Sequence, residues 1–193
     1  MKLNTDKTRR IMPLAAAAPD GKVLDMPQLH QQTDNWCWAA CAEMVLRYFG
    51  HDAAQSKIAE RYVAYLKAHN KPHSMGCADT QCAVSDFGEV LKMWGVKADH
   101  RPRDIAFSTV RKELDAGRPV IVLLDWFGSD GGFLDGHFVI ICGWHIERGE
   151  PMLKVNNPSR GTGLQTYADL VMAYGQGVWK QTWVGLTRTE EKQ

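Results

Sequence analysis

The stretch QQTDNWCWAAC, residues 31–41, places a cysteine between two tryptophans where an alanine-rich segment begins. From Cys37 to Phe49 the apolar residues recur with the spacing of a helix, at positions 37, 41, 44, 45 and 48. Gly50 ends this pattern, and the polar residues 33–35 can cap its start. The sequence therefore predicts a buried central helix whose first turn contains Cys37.

The position of Cys37 is typical of a nucleophile. Backbone N–H groups at a helix start have no intrahelical partner and stabilise a thiolate, which lowers the pKa of a thiol placed there. A buried structural thiol packed with Cys41, Met44 and Val45 is the alternative, and for an isolated cysteine it is the better interpretation. Partners elsewhere in the chain decide between the two.

Length and composition favour one ordinary domain. The 193 residues are enough to hold a fixed site without disulfides or metal. Twenty-three basic and 22 acidic residues give a net charge of +1, with no basic stripe of the kind that binds nucleic acid. No apolar run approaches the roughly 20 residues of a membrane span. Five cysteines, an odd number without scaffold spacing, predict at least one free thiol.

Three segments are predicted along the chain. Residues 1–25 contain scattered prolines and no sustained period, so we expect a flexible leader that is removed or read by a specialised secretion system. Their short apolar core is marginal, which makes a secretory signal peptide the less favoured interpretation. Residues 26–188 form the folded domain, and residues 189–193 form a polar tail.

Periodicity separates a helical half of this domain from a strand-rich half. Beyond the first helix, we predict helices over about residues 54–68, 83–94, 108–114 and 166–174. Thr166 and Asp169 have capping-box spacing. The strand-like runs are PVIVLLDW at 119–126, HFVIICGW at 137–144, MLKVNN at 152–157 and WKQTWVGL at 179–186. The predicted fold class is α+β, with a cleft between the helices and a C-terminal antiparallel sheet.

A candidate base begins the second of these strands. His137 follows Gly136 and precedes the apolar run FVIICGW, and a histidine that heads a buried strand has an unusual desolvation cost. The absence of a side chain at Gly136 leaves room for a cleft-facing imidazole. Alone, such a histidine is more often structural, so it counts mainly as a partner for Cys37.

Two asparagines are candidates to hold the histidine ring. Asn157 precedes Pro158, which favours an extended backbone and marks the end of the third strand. Because side chains alternate along a strand, Asn156 and Asn157 point to opposite faces, and only one can accept from the ring N–H of His137. A plain Asn-Pro turn is the alternative for these residues by themselves.

Two glutamines lie shortly before the cysteine. Gln31 precedes Cys37 by six residues and Gln32 by five. Either amide can join the Cys37 backbone N–H in stabilising the oxyanion of a tetrahedral intermediate. Glutamines are common in surface loops, so this feature is weak by itself.

Taken together, Gln31, WCWAA at 36–40, GHF at 136–138 and NNP at 156–158 resemble the order of site residues in papain-like cysteine peptidases. The resemblance covers roughly residues 25–186, and WCWAA is its most specific part. It is greatest for a small bacterial branch that includes the Avr-type effector proteases of plant pathogens and, more distantly, bacteriocin-leader peptidases. It implies a papain-like fold and peptide-bond hydrolysis through an acyl-enzyme, without a cofactor.

The resemblance implies a role for each site residue: nucleophile Cys37, base and later acid His137, ring orienter Asn157 and oxyanion donor Gln31. Trp36 and Trp38 would then border the thiolate. The chain departs from the branch in two ways. An asparagine stands where many small bacterial relatives have aspartate, and no internal Pro-x-Phe-Gly-x-Trp self-cleavage segment is present.

A rival pattern lies in the loop between the second and third predicted helices. His69, His73, Cys77 and Cys82 belong to residue types that bind zinc, although their spacing is not that of a standard finger. A Cys77–Cys82 disulfide is a second alternative. A solvated loop with neither is the favoured interpretation.

Three functions stay open from the sequence. The favoured one is a cysteine protease that acts on protein or peptide substrates, either secreted as a bacterial effector or toxin or cytoplasmic, with an immunity protein or a host target as a further partner. A Cys-His-Asn acyltransferase or transglutaminase is the second, because an amine can discharge the same acyl-enzyme. The third is a catalytically silent module that binds zinc through the loop at 69–82.

Overall fold

The helices predicted in the N-terminal half are present in the computed structural model, which describes residues 20–72, 82 and 86–189. The first of them is central to the molecule, since every residue from Cys37 to Leu46 is buried. The described helices are α1 Cys37–Tyr48, α2 Gln55–Ala68, α3 Phe87–Lys92, α4 Phe107–Asp115 and α5 Tyr167–Val171, the last followed by a 3-10 turn at Ala173–Gly175.

α1 begins without the side-chain cap that its sequence predicts. Trp36 occupies the N-cap position and makes no side-chain cap hydrogen bond, so the expectation of a cap among residues 33–35 is wrong. The Trp36 N–H donates to the Thr33 carbonyl at 3.2 Å. Backbone N–H groups of Cys37 and Trp38 at this helix start act to lower the pKa of the Cys37 thiol.

Seven antiparallel strands form one sheet in the described part of the chain. Its order is β2-β7-β3-β4-β5-β6, and β1 pairs with β4 outside this path. β3 and β4 are therefore central, with partners on both sides. The strands are β1 Gly21–Val23, β2 Val96–Arg101, β3 Val120–Phe127, β4 Phe133–Glu147, β5 Glu150–Asn157, β6 Gly161–Thr166 and β7 Gly177–Arg188.

Three of these strands are absent from the sequence prediction. β1 lies inside the range predicted to be an irregular leader, so the folded unit begins no later than Gly21 rather than at residue 26. β2 and β6 are mostly exposed and lack the apolar runs that mark the central strands, and they form by pairing with β7 and β5. Residues 1–19 and 190–193 lie outside the described residues.

The central strands of the sheet are buried on both faces. Along β3, Ile121 and Leu123 pack with α1, α2 and α3, whereas Val120, Val122 and Leu124 pack with α4 and α5. This explains why β3 and β4 have continuous apolar runs instead of alternation. The predicted α+β class is confirmed. None of the described helices is long and apolar enough to cross a membrane.

Candidate active site

Cys37 is the first residue of α1, and only 8% of its surface is exposed. Burial is the main cause that raises the pKa of the Cys37 thiol to about 11, while backbone N–H groups of Phe138 and Trp38 act in the opposite direction. The predicted lowering of this pKa by the helix start is therefore wrong, because desolvation outweighs the backbone donors. Deprotonation of Cys37 requires another group.

His137, in the first half of β4, is held by Asn157, the last residue of β5. Its Nε2 lies 2.9 Å from Asn157 Oδ1. The backbone N–H of Ser159 meets the same atom at 2.9 Å, and since an N–H can only donate, that atom is the amide oxygen and not the nitrogen. Nε2 of His137 therefore carries the proton, and Nδ1 presents its lone pair.

Further donors fix the Asn157 amide. The Ser159 hydroxyl donates to Oδ1 at 2.9 Å, and the Arg160 N–H approaches it at 3.3 Å. Ser159 Oγ also lies 3.4 Å from His137 Nε2. The sequence analysis missed Ser159 and Arg160, although their position directly after NNP, where the chain turns, was a usable signal. Through the amide, these two residues hold the plane of the imidazole ring.

The surroundings of His137 favour its neutral form. Burial lowers the pKa of His137 below the ordinary imidazole value, and the charge of Arg160 acts in the same direction. The hydrogen bond to Asn157 and the charge of Asp135 oppose this shift. A neutral ring keeps the lone pair that a general base needs at neutral pH.

The side chain of Asn156 is buried and hydrogen-bonded to residues that do not line the active-site cavity. Its Nδ2 donates to the Pro27 carbonyl at 3.0 Å, and its Oδ1 accepts from the Thr162 hydroxyl at 2.9 Å and from the Cys142 thiol at 3.5 Å. The residue is fully enclosed, with 1% of its surface exposed. The two asparagines thus point to different sides of β5, and Asn157 is the one that reaches His137.

The segment that leads into α1 is attached to the turn that follows β5. Gln28 Nε2 donates to the Asn157 carbonyl at 3.0 Å, and the Gln31 backbone N–H donates to the Pro158 carbonyl at 3.1 Å. The bond from Asn156 to Pro27 extends this contact. These bonds couple the position of the nucleophile helix to that of the ring orienter.

Gln31 and Gln32 differ in exposure and in partners. Gln31 is half-buried, and its Nε2 donates to the carbonyls of Thr33 and Asp34 at 3.0 and 2.8 Å. Gln32 is exposed, and its backbone N–H donates to Gln55 Oε1 at 3.0 Å. The described lining of the active-site cavity includes neither glutamine. The oxyanion role of Gln31 stays a prediction that requires its amide to leave at least one of these carbonyls.

A cavity of about 270 Å³ contains both Cys37 and His137 in its lining. Trp38 belongs to this lining, whereas Trp36 packs in the apolar core cluster that also contains Cys37 and does not belong to the described lining. The other lining residues come from three separate parts of the chain, namely the loop before α1, Cys82, and the paired strands β3 and β4, and most of them were not predicted because they meet only in the folded chain: Asp34, Asn35, Cys82, Leu123, Asp125, Phe133, Asp135, Gly136 and Phe138.

The loop with the rival zinc pattern is described only in part. His73 and Cys77 lie outside the described residues, so neither the zinc site nor the Cys77–Cys82 disulfide is tested. His69 Nδ1 lies 2.8 Å from the Tyr65 carbonyl, and Cys82 lines the active-site cavity. Within the described ranges no three His, Cys, Asp or Glu side chains gather as a metal site.

A family model described as papain-like cysteine protease AvrRpt2 (Peptidase_C70) matches residues 21–172, well over half of the chain. The chain belongs to the AvrRpt2 family of papain-like cysteine proteases. The match begins at the first residue of β1. It includes all four predicted site residues: Gln31, Cys37, His137 and Asn157. No curated protein sequence matches the chain significantly.

Solved peptidase structures share the fold of this AvrRpt2-family protein. A double glycine motif protease from an AMS/PCAT transporter, solved with a leader peptide, is 13% identical with a TM-score of 0.52, over 87% of this chain and 95% of that chain. The peptidase domain of Streptococcus ComA, a bi-functional ABC transporter involved in quorum sensing, is 14% identical with a TM-score of 0.51, over 84% and 98%.

Xylellain, a cysteine protease from Xylella fastidiosa, is 11% identical with a TM-score of 0.51, over 91% of this chain and 88% of that chain. At these identities the likeness concerns the fold alone. The predicted resemblance to Avr-type proteases and to leader peptidases is confirmed at the level of family and fold.

Proposed function

We propose that this AvrRpt2-family protein hydrolyses peptide bonds of protein substrates, with Cys37 as nucleophile, His137 as base and Asn157 as ring orienter. The observation that carries the proposal is the bond from His137 Nε2–H to Asn157 Oδ1, in an amide whose orientation the Ser159 N–H determines. This bond leaves Nδ1 as the basic atom of a ring that shares a cavity with the thiol.

Acylation begins with proton transfer from the thiol. Burial favours the uncharged forms of Cys37 and His137, so the proton moves from Sγ to Nδ1 as the sulfur attacks the carbonyl carbon. The C–S bond forms, and the carbonyl π electrons move to the oxygen. Asn157 Oδ1 stabilises the imidazolium through Nε2–H. When the intermediate collapses, the C–N bond breaks, Nδ1–H protonates the leaving amine, and a thioester remains on Cys37.

Deacylation repeats these steps with water. Nδ1 of neutral His137 takes a proton from the attacking water, and the oxygen forms a bond to the thioester carbon. The C–S bond then breaks, the imidazolium returns its proton to the sulfur, and the carboxylic acid product leaves. His137 thus acts in turn as base and acid, which is why one oriented ring serves both halves of the reaction.

The oxyanion needs donors near Cys37. In this proposal the Cys37 backbone N–H supplies one and the Gln31 side-chain amide supplies the other. Gln31 is favoured over Gln32 because Gln32 is exposed, whereas Gln31 is half-buried and bonded to the loop directly before α1. Its Nε2 would turn from the Thr33 or Asp34 carbonyl to the substrate oxygen as negative charge develops there.

The biological setting follows from the family resemblance. The proposed substrate is a protein or peptide, and the protein acts as a secreted effector or toxin or within the cytoplasm of the producing cell. A host target or an immunity protein is the proposed partner. The folded unit includes β1, so a removable leader would end before Gly21.

The test uses the full chain, a Cys37→Ala variant and a Cys142→Ala control that changes another buried cysteine. Each protein is incubated with a proteome-derived peptide mixture, and new termini are identified by mass spectrometry. We expect new termini with the parent and with Cys142→Ala but none with Cys37→Ala, and a trapped thioester on Cys37. Cleavage that persists in Cys37→Ala contradicts the proposal. Amide products formed with an added amine, in place of acids, would instead assign an acyltransferase.

A further inference from the structure

An aspartate occupies the interior of β3, a central strand. Asp125 pairs with Gly136 of β4 on one side and with Val178 of β7 on the other. Aspartate is rare within strands, and a half-buried carboxylate has a desolvation cost that a partner must offset. The fold alone therefore gives no reason for Asp125.

The described chain offers the Asp125 carboxylate few interactions that would offset its desolvation cost. Within residues 20–72, 82 and 86–189, Asp125 makes no side-chain hydrogen bond and no ion pair. The charge of Lys180 is near enough to act on it, but burial prevails and raises the pKa of Asp125 above its ordinary value. A carboxylate in this position gains stability from a cation that arrives from outside the chain.

The neighbour of Asp125 in β4 is Gly136, which has no side chain to share this face of the strand pair. A Cβ built on Gly136 would lie 3.3 Å from Leu123 Cδ1, so any larger residue there would crowd Leu123 on the cavity side. Leu123 and Asp125 are two residues apart in β3 and point to the same face. Both line the cavity that also contains Cys37 and His137.

The other residues that line the cavity also suit a cationic side chain. It combines apolar surface with carboxylates, namely Leu123, Phe133 and Phe138 together with Asp34 and Asp135. No lysine or arginine of the described chain belongs to it. A side chain with a hydrocarbon stem and a cationic end fits both kinds of surface, and lysine and arginine are the two residues of that design.

We propose that this cavity is a specificity subsite that binds a lysine or arginine of the substrate, with the cation at the Asp125 carboxylate and the stem against Leu123 and Phe138. The inference rests on the proposed function, because it takes the peptide to enter the cavity that contains the nucleophile. It defines the substrate class as polypeptides with a basic residue close to the scissile bond.

The test compares arginine with citrulline, which has nearly the same shape and no charge. Fluorogenic hexapeptides are prepared with one or the other residue at each position in turn. We expect the parent protein to prefer arginine in kcat/KM by about tenfold at one position, the value of a charge-assisted hydrogen bond. Asp125→Asn should reduce this preference to below about twofold, and Asp125→Glu should restore part of it.

Asp52→Asn is the matched control, since Asp52 is exposed and does not line the cavity. It should keep the full preference for arginine. Equal rates for arginine and citrulline peptides in the parent protein at every position would overturn the inference, and this arm needs no variant to fold. An unchanged preference in a folded Asp125→Asn protein would overturn it as well.

A binding measurement separates this inference from the proposed function. The same peptides, with a fluorescent label, are titrated with the Cys37→Ala variant and followed by anisotropy. Tighter binding of one arginine peptide without any turnover by the parent protein would support the subsite and contradict the peptidase proposal. Turnover of arginine and citrulline peptides at equal rates would do the reverse.

Discussion

The start of α1 and the end of β5 both contribute to the candidate site, but they differ in how they stabilise charge. At the start of α1, backbone N–H groups of Phe138 and Trp38 favour the thiolate, but burial prevails and raises the pKa of Cys37 to about 11. At the end of β5, three donors from Ser159 and Arg160 and the imidazole of His137 converge on Asn157 Oδ1. The hydrogen bonds that orient His137 therefore come from the sheet side of the site. In the proposed mechanism, the Cys37 thiol depends on that histidine for its deprotonation.

The largest expected effect follows from removing the base. His137→Gln should lower kcat/KM for peptide hydrolysis by about ten-thousandfold, the usual loss when a member of such a triad is removed. His145→Gln, which changes a histidine of the same strand outside the cavity, should keep the parent rate. The measurement is the steady-state rate of each variant. Similar losses of kcat/KM in both variants would contradict the assignment of His137 as the general base.

The helix side is expected to contribute mainly after the thiol has attacked. Gln31→Ala should slow single-turnover acylation by a peptide ester about a hundredfold, because an oxyanion donor acts only as charge develops. Its reaction with iodoacetamide, which forms no oxyanion, should not change. Gln32→Ala should acylate at the parent rate, and a collapse there with normal Gln31→Ala would transfer the role to Gln32.

The neighbouring asparagines of β5 allow a residue that orients His137 to be compared with a structural residue of the same strand. Asn157→Ala should reduce turnover by about tenfold to a hundredfold, the value of a hydrogen bond to a charged ring, with little change in thermal stability. Asn156→Ala should instead lower the free energy of unfolding by about 1–3 kcal/mol, since it removes the hydrogen bonds that the buried Asn156 amide makes with the Pro27 carbonyl and the Thr162 hydroxyl.

Rates and thermal melts of both variants are required. The reversed result, with Asn156→Ala inactive but stable, would place the ring orienter one residue earlier. It would also contradict the register in which Ile140 pairs with Asn156.

The smallest effect concerns pH. His137 acts as a base only when neutral, and burial lowers its pKa below the ordinary imidazole value, so the acid limb of the rate profile should lie at a lower pH than that of a free imidazole. The positive charge of Arg160 helps to lower this pKa. Arg160→Gln should therefore raise it and move the acid limb toward higher pH. A limb that moves toward lower pH would show that Arg160 does not act on the ring through its charge.

Much of the fold was predictable because it depends on local patterns. The period of α1 gave its start at Cys37 and its end to within one residue. The cap of α5 was also local, since the Asp169 N–H donates to Thr166 Oγ1 at 2.9 Å. β1 and β6 were not predictable in this way, because their sequences are short and polar and their pairing partners are distant in the chain.

The candidate site also combines features that local sequence patterns predict with features that depend on contacts between distant parts of the chain. Residue type and position in predicted elements indicated Cys37, His137 and the pair Asn156 and Asn157 as candidates, and the resemblance to papain-like peptidases implied Asn157 of the two. The burial that raises the pKa of Cys37 was not predicted, because it depends on the β4 strand that closes over the helix start. The place of Asp125 in the cavity lining likewise depends on the pairing of β3 with β4, which sets it opposite Gly136.

The account's central claim is that His137, and not the helix start, activates Cys37. The most direct test is the pH dependence of Cys37 alkylation by iodoacetamide in the parent protein and in His137→Gln, read by mass spectrometry against the other cysteines. We expect the parent thiol to react readily at neutral pH and the His137→Gln thiol to react only as the pH approaches the burial-raised pKa of Cys37, about 11. Alkylation of His137→Gln at the parent rate at pH 7 would contradict the claim.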